Sequence, residues 1–218
     1  MVNYRMSPER AWPVHIQDCK RALVYLKANV HRWGGDPRKI FVTGESAGGH
    51  LSSLLAMTAT YPDFSPPENP RADVSIRGAL PLYGVHDWTN SSGHSEEIPL
   101  FTSKLVLQKR LSRDTWYELE RASPLFHARE LQSATEDPRL CPFFIPHGTH
   151  DVLASYRDAT VFYEALQKVR EKFPLPNGER DVFVTLDGGH HAFGYFPSLR
   201  SNALGDAMAD FIFHHSRE

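Results

Sequence analysis

The sequence is poor in cysteine and has no long run of apolar residues or of charges of one sign. Its 218 residues include two cysteines, Cys19 and Cys141, whose wide separation indicates no disulfide framework. We expect both to be small buried groups in a reducing compartment. No stretch approaches the roughly 18 apolar residues of a membrane-spanning helix. The net charge of −2 comes without a basic or acidic run, which argues against nucleic-acid and anionic-membrane partners.

The composition and the N-terminal residues place the chain in an ordinary class. An apolar content of 41% with 11% aromatics is typical of a soluble globular protein, and the length suits one domain. Met1 to Arg5 lack the apolar core and cleavage site of a secretory signal, so the chain as written is expected in the cytoplasm. Small or neutral partners are favoured, and no oligomeric state is indicated.

The pentapeptide Gly44-Glu45-Ser46-Ala47-Gly48 is the strongest local pattern. It lies between a strand-like run, 40–43, and a helix-like run, 47–58. A serine at such a strand-to-helix turn is a candidate nucleophile, and glycines let the two arms of the turn approach closely. The free N–H groups of the helix, led by that of Ala47, would stabilise negative charge on a substrate oxygen. The alternative is a glycine-rich turn with a helix-capping serine.

Strand-like and helix-like periods alternate along the chain. A 3-4-3-4-3 spacing predicts one buried helix face, comprising Ile16, Cys19, Leu23, Leu26, Val30 and Trp33. Further strands are predicted at 76–83, 142–147 and 181–186, a proline-rich loop at 61–70, a helix with a capping box at 155–158, and a last helix at 203–214. This order predicts an α/β fold with a doubly wound, mostly parallel sheet.

The chain is expected to be one domain with a long insertion. The predicted core is 1–84 and 141–218, and the irregular stretch at about 85–140 is interpreted either as a lid or as a packed peripheral excursion. It contains helix-like pieces near 99–107 and 112–122. Its apolar residues are interpreted as acyl-pocket lining or, in preference, as core; they are Trp88, Phe101, Leu105 and Trp116.

Two later strands end in the side chains that a serine nucleophile requires. A hydroxyl needs an imidazole to accept its proton, and the imidazole needs a carboxylate to fix its tautomer. Asp151 follows the strand at 142–147, and His191 follows the strand at 181–186. Because the carboxyl ends of parallel strands meet at one edge of the sheet, Ser46, Asp151 and His191 are expected to lie together. Asp187 and His190 are the competing acid and base.

The sequence resembles the hormone-sensitive-lipase-like esterases of the α/β-hydrolase superfamily. The resemblance rests on blocks along nearly the whole chain: Asn3 to Glu9, Trp12-Pro13, Gly35-Asp36-Pro37, Gly44 to His50, Ala122-Ser123-Pro124, His147-Gly148-Thr149 with Asp151, and His191-Ala192-Phe193. It implies that Ser46 is the nucleophile, Asp151 the orienting acid and His191 the base. It also favours His191 over His190, because a small residue and Phe follow the family's histidine. Asp187 is set aside because it is too close in sequence to approach the ring from behind.

One block of the family is missing. The esterases carry a His-Gly-Gly-Gly segment before the block at Asn3 to Glu9, and this sequence has none. We therefore expect the chain to be N-terminally incomplete, lacking the first strands of the sheet, with the strand before Ser46 left at an open edge. The oxyanion hole would keep the Ala47 N–H but lose other donors, which predicts weak or absent turnover that a restored segment would recover.

The functional expectation is a serine hydrolase that cleaves carboxylic esters of short or medium acyl chains through an acyl-enzyme. No cofactor or metal is expected, and a metal at His214 and His215 is discounted because no acid or thiol lies near them in sequence. The alternatives are an amidase, formamidase or peptidase with the same triad, a ligand-binding relative without catalysis, and a truncated non-functional product.

Overall fold

Four parallel strands lie side by side in the computed structural model, which describes residues 1–59 and 64–217. They are β1 (Phe41–Glu45), β2 (Gly78–Leu82), β3 (Phe144–Gly148) and β4 (Val182–Leu186), in the order β1-β2-β3-β4. β1 pairs with β2 from Phe41↔Gly78, and β3 pairs with β4 from Phe144↔Val182. The four predicted strands and their parallel direction are confirmed.

The seam between β2 and β3 has few hydrogen bonds. The N–H of Ala79 donates to Pro142 O over 3.0 Å, and the N–H of Tyr83 donates to Pro146 O over 3.1 Å. The intervening position is Pro81, which has no N–H to donate. The two strand pairs nevertheless form one layer, because the bonds on either side of Pro81 remain.

Helices cover both faces of this layer. They are α1 (Val14–Asn29), α2 (Ala47–Met57), α3 (Ile98–Phe101), α4 (Arg113–Ala122), α5 (Pro124–Leu131), α6 (Tyr156–Lys172) and α7 (Leu199–His215). Successive strand residues point to opposite faces. Ala79 and Phe143 pack with side chains of α2, α5 and α6, whereas Leu80 and Phe144 pack with side chains of α7. The residues of β2 and β3 are all buried, as expected for central strands of a covered sheet.

The predicted apolar face of the first helix is wrong at its C-terminal end. Ile16 and Leu23 are buried, but Leu26 is 36% exposed and Trp33 is 64% exposed. The α-helix ends at Asn29, and Val30–Trp33 form a 3₁₀ turn. A 3₁₀ turn advances about 120° per residue rather than 100°, so Trp33 leaves the stripe that the α-helical period assigns to it.

Two helix starts also differ from prediction. Ser155 precedes α6, but its side chain caps no N–H, so the predicted capping box is wrong. The carboxylate of Asp158 is occupied elsewhere, because it accepts hydrogen bonds from the hydroxyls of Ser92 and Ser95. α7 begins at Leu199, four residues before the predicted start, behind a capping box made by Ser198 and Ser201.

The stretch at 85–140 packs against the helices that adjoin it. It contains α3, a π-helical turn Thr102–Leu107, α4 and α5, of which α5 was not predicted. Leu107 and Leu119 are buried in one cluster with side chains of α1 and α2. Trp88 belongs to that core, while three other candidate pocket residues are more than a third exposed; they are Phe101, Leu105 and Trp116. The predicted loop at 61–70 lies partly outside the described residues.

Candidate active site

Ser46 occupies the sharp turn between β1 and α2. Its backbone has φ 53° and ψ −113°, a positive-φ conformation that is rare for a residue with a side chain. The turn is tight because Gly44 and Gly48 approach closely, and a Cβ added to Gly44 would lie 2.5 Å from Gly48 O. The N–H of Ser46 donates to Leu82 O over 3.0 Å, which fixes the turn to the end of β2.

The loops that follow β3 and β4 contact each other beside this turn. A Cβ added to Gly148 would overlap the carbonyl of Gly189, so these two loops meet backbone to backbone. The N–H of His150 donates to Gly189 O over 2.9 Å, and the N–H of Thr149 donates to Leu186 O over 3.1 Å. This contact brings Asp151 and His191 together although they are 40 residues apart in sequence.

Ser46, His191 and Asp151 form a continuous chain of hydrogen bonds. His191 Nε2 lies 2.9 Å from Ser46 Oγ, and His191 Nδ1 lies 2.8 Å from Asp151 Oδ2. Because a carboxylate only accepts, His191 Nδ1 carries the proton and Nε2 is left to accept from the serine hydroxyl. The structure thus brings together the three residues that the sequence singled out.

Asp151 is held as a carboxylate by several donors. Its side chain is fully buried, and burial alone would raise its pKa. Hydrogen bonds from His147, from the N–H groups of Ala154 and Leu153 and from His191 outweigh burial and lower the pKa to about 2. A negative charge is therefore fixed behind the His191 ring, where it stabilises a protonated imidazole.

His147 is a contact that sequence reasoning missed. Its ring is fully buried, Nε2–H donates to Ala154 O over 2.8 Å, and the same nitrogen lies 3.3 Å from Asp151 Oδ2. Asp151 thus has a histidine on each side. The signal was available, since His147 stands four residues before Asp151 at the end of the same strand.

The Tyr83 ring packs against the His191 ring. The Tyr83 ring meets the His191 ring edge to face at a centroid distance of 5.0 Å, and it meets the Phe193 ring at 4.9 Å. Tyr83 is 1% exposed and adopts φ 38° directly after β2. This strained residue restricts how far the imidazole can rotate away from Ser46, and nothing in the sequence pattern marked it.

The competing acid and base lie elsewhere. Asp187 accepts from the Thr149 hydroxyl over 3.3 Å, as a turn residue at the end of β4. His190 is exposed, and its Nδ1 lies 3.2 Å from His150 O. Ala47 is the first residue of α2 and directly follows Ser46, so its N–H makes no hydrogen bond within the helix.

The histidine pair at the C-terminus has an acid beside it, contrary to the expectation from sequence. Among the described residues, one ligand atom from each of Glu179, His214 and His215 lies within 4.8 Å of the others. The sequence could not indicate this contact, because Glu179 lies before β4 and the histidines end α7.

In the described part of the chain, no helix is long and apolar enough to cross a membrane.

Comparison with known proteins decides the family. The BD-FAE family model matches residues 1–166, which is most of the chain. The chain belongs to the BD-FAE family. This family is part of the α/β-hydrolase superfamily, so the resemblance seen in the sequence blocks is confirmed.

The curated relatives of this family member are named as esterases. The probable carboxylic ester hydrolase LipM of Mycobacterium tuberculosis is 38% identical over 213 residues, covering 97% of this chain and 45% of LipM. Esterase LipQ of the same organism is 34% identical over 212 residues, covering 97% of this chain and 46% of LipQ. The chain therefore spans less than half the length of these two relatives.

Solved structures share the fold of this family member. A truncated form of a carbohydrate esterase from gut microbiota gives a TM-score of 0.71 at 22% identity, covering 99% of this chain and 73% of that one. Esterase 2 of Thermogutta terrifontis with propionate bound gives 0.68 at 23% identity, covering 94% and 66%. Both support an α/β-hydrolase fold for the parallel strands and flanking helices described above.

Proposed function

We propose that this chain hydrolyses carboxylic esters through an acyl-enzyme formed on Ser46. The observation that carries the proposal is the continuous hydrogen-bonded chain from Ser46 Oγ through His191 to Asp151. A serine hydroxyl is a weak nucleophile near neutral pH, and this arrangement supplies both the base and the acid that orients it. The names of the curated relatives point to the same reaction.

The reaction follows from the geometry in two halves. His191 Nε2 accepts the proton of Ser46 as Oγ attacks the ester carbonyl carbon, and the carbonyl oxygen becomes negatively charged. The Ala47 N–H and the N-terminus of α2 stabilise that oxygen. The tetrahedral intermediate collapses, the bond to the alcohol oxygen breaks, and His191 donates its proton to the leaving alcohol.

The second half repeats these steps with water. His191 removes a proton from water as the water oxygen attacks the acyl-enzyme, and it returns the proton to Ser46 Oγ as the acid leaves. The buried negative charge of Asp151 stabilises the protonated His191 in both halves. All proton transfers in this scheme use side chains of the chain itself.

The surroundings of the three residues favour apolar esters of short or medium acyl chains. The side chains that follow Asp151 are apolar and exposed, with Val152 87% and Leu153 66% exposed. Beyond His191, Tyr195 is 70% and Phe196 is 79% exposed. These exposed apolar groups lie close in sequence to Asp151 and His191, and they support an apolar acyl or alcohol group in the substrate.

The N–H of Ala47 is the oxyanion donor that we assign, because Ala47 opens α2 directly after Ser46. Loss of one such donor lowers turnover by about 10²- to 10³-fold.

Hydrolysis of p-nitrophenyl acetate and butyrate tests the proposed reaction. The Ser46→Ala variant should lose all turnover above background, whereas Ser133→Ala, at an exposed serine after α5, should keep it. The matching p-nitroanilides decide between ester and amide preference. Ester hydrolysis that persists in Ser46→Ala, or none by the folded wild-type chain, would refute the proposal.

A further inference from the structure

A second cluster of ligand-bearing side chains lies at the opposite end of the sheet from Ser46. Glu179 stands three residues before β4, and His214 and His215 end α7. Since β4 runs from this cluster toward the loop of His191, its length separates the two places. A cleft of about 380 Å³ opens here, and Asp210 is among its lining residues.

The donor atoms of this cluster lie close to one another. One ligand atom from each of Glu179, His214 and His215 lies within 4.8 Å of the others. The His215 ring is 3% exposed and the Glu179 side chain is 4% exposed, while His214 is open to solvent. A bound ion would therefore be held by two buried groups and reached through the third.

Two of these buried atoms lack hydrogen-bond partners within the described residues. They are Glu179 Oε2 and His215 Nδ1. His215 Nδ1 lies 3.0 Å from Glu179 Oε1, but without the geometry of a hydrogen bond. Buried polar atoms are usually paired, because an unpaired one has lost its hydrogen bonds to water without replacement. A bound cation would give these buried atoms a partner.

The neighbouring charges are of both signs. Arg77 lies 3.4 Å from Glu179 Oε1 and donates from Nε to His215 O over 2.7 Å. Arg180 and Asp210 both line the cleft, and Asp210 stands one turn before His214 on the same helix. The carbonyl end of α7 also carries partial negative charge, which favours a cation there.

We propose that Glu179, His214 and His215 bind a divalent transition-metal ion of the Zn²⁺ class. Two imidazoles and one carboxylate, with water as the fourth ligand, are a preferred tetrahedral set for zinc. The ion would join the entry to β4 with the end of α7. Because His191 lies between these two points in sequence, the ion would stabilise the segment that carries the base, without taking part in ester chemistry.

Calorimetric titration of the metal-free chain with Zn²⁺ tests the proposal, with unfolding temperature as a second readout. We expect one ion per chain and a rise in Tm of about 5–10 °C when Zn²⁺ is a hundredfold above Kd. His214→Gln removes one exposed ligand and should weaken binding at least tenfold. His31→Gln, the same change at an exposed histidine of the 3₁₀ turn, should bind as the wild type does.

Glu179→Gln provides a second variant, since it keeps the side-chain shape and removes the charge. It should also lose the zinc-dependent rise in Tm, whatever its Tm without metal. Absence of stoichiometric binding by the wild type, or binding unchanged in His214→Gln, would overturn the proposal. Neither readout uses ester turnover, so the metal site and the proposed reaction succeed or fail separately.

Discussion

Replacement of Asp151 by Asn is the sharpest single perturbation of the proposed triad. The change keeps the size of the side chain and removes its charge. In the structure, Oδ1 accepts from the N–H groups of Leu153 and Ala154, and Oδ2 faces His191 and His147. The one carbonyl oxygen of Asn can satisfy the two backbone donors, which leaves its NH₂ group pointing at His191 Nδ1.

This geometry predicts a loss of activity through the wrong tautomer. An N–H facing Nδ1 favours the imidazole that carries its proton on Nε2, and that nitrogen can then no longer accept the Ser46 proton. The expected fall in kcat is about 10⁴-fold. Loss of charge-assisted hydrogen bonds in a buried place also predicts destabilisation of about 2–3 kcal/mol, which leaves most domains folded.

The assay is p-nitrophenyl butyrate hydrolysis, with urea unfolding to confirm that the variant is folded. Asp187→Asn is the matched control, because Asp187 also lies beyond a strand end but contacts Thr149 rather than His191. It should retain the wild-type rate. Folded Asp151→Asn protein with more than a tenth of the wild-type kcat, or an equal loss in Asp187→Asn, would refute the assignment of the acid.

Three further predictions concern the groups around the triad. His147→Leu removes a donor from Asp151 and should lower kcat/KM about tenfold. His147→Gln keeps an N–H near the position of Nε2 and should lower kcat/KM less. Equal kcat/KM values in the wild type and His147→Leu would show that this contact does not contribute to turnover. The pKa of Asp151 in the folded state lies below its unfolded value of 3.8, so the stabilisation from this carboxylate is present above pH 3.8 and is lost as the pH falls toward 2. The free energies of unfolding of the wild type and Asp151→Asn, measured with urea, should therefore converge between pH 3.8 and 2. Gly44→Ala places a Cβ 2.5 Å from Gly48 O and should lower Tm and activity. Gly205→Ala is the control, because its added Cβ has nothing within 4 Å, and it should raise Tm slightly. An unchanged Tm in Gly44→Ala would contradict the close approach at this turn.

Local patterns in the sequence predicted the parts of the site that depend on local structure. The glycine at position 44 and the flanking runs predicted the turn at Ser46, because its conformation depends on neighbouring residues. Asp151 and His191 were predicted from a rule of topology, since both follow strands that end at the same edge. In these cases the direction of the strands and the period of the apolar residues were sufficient for the prediction.

Contacts between distant segments were beyond such patterns. The position of Glu179 beside His214 depends on where α7 packs against the sheet, which no residue near either position indicates. The exposure of Trp33 was missed because a 3₁₀ turn replaces the last helical turn. Asp158 was expected to cap α6, but the packing of 85–140 places the hydroxyls of Ser92 and Ser95 against it.

Labelling of the purified chain with a fluorophosphonate probe tests the central claim most directly. The probe reacts with serines that a neighbouring base activates, and intact-mass and peptide analysis locate the adduct. The account predicts one adduct on Ser46, absent from Ser46→Ala and strongly slowed in His191→Gln. A folded chain that takes no label, or one labelled equally in His191→Gln, would contradict activation of Ser46 by His191.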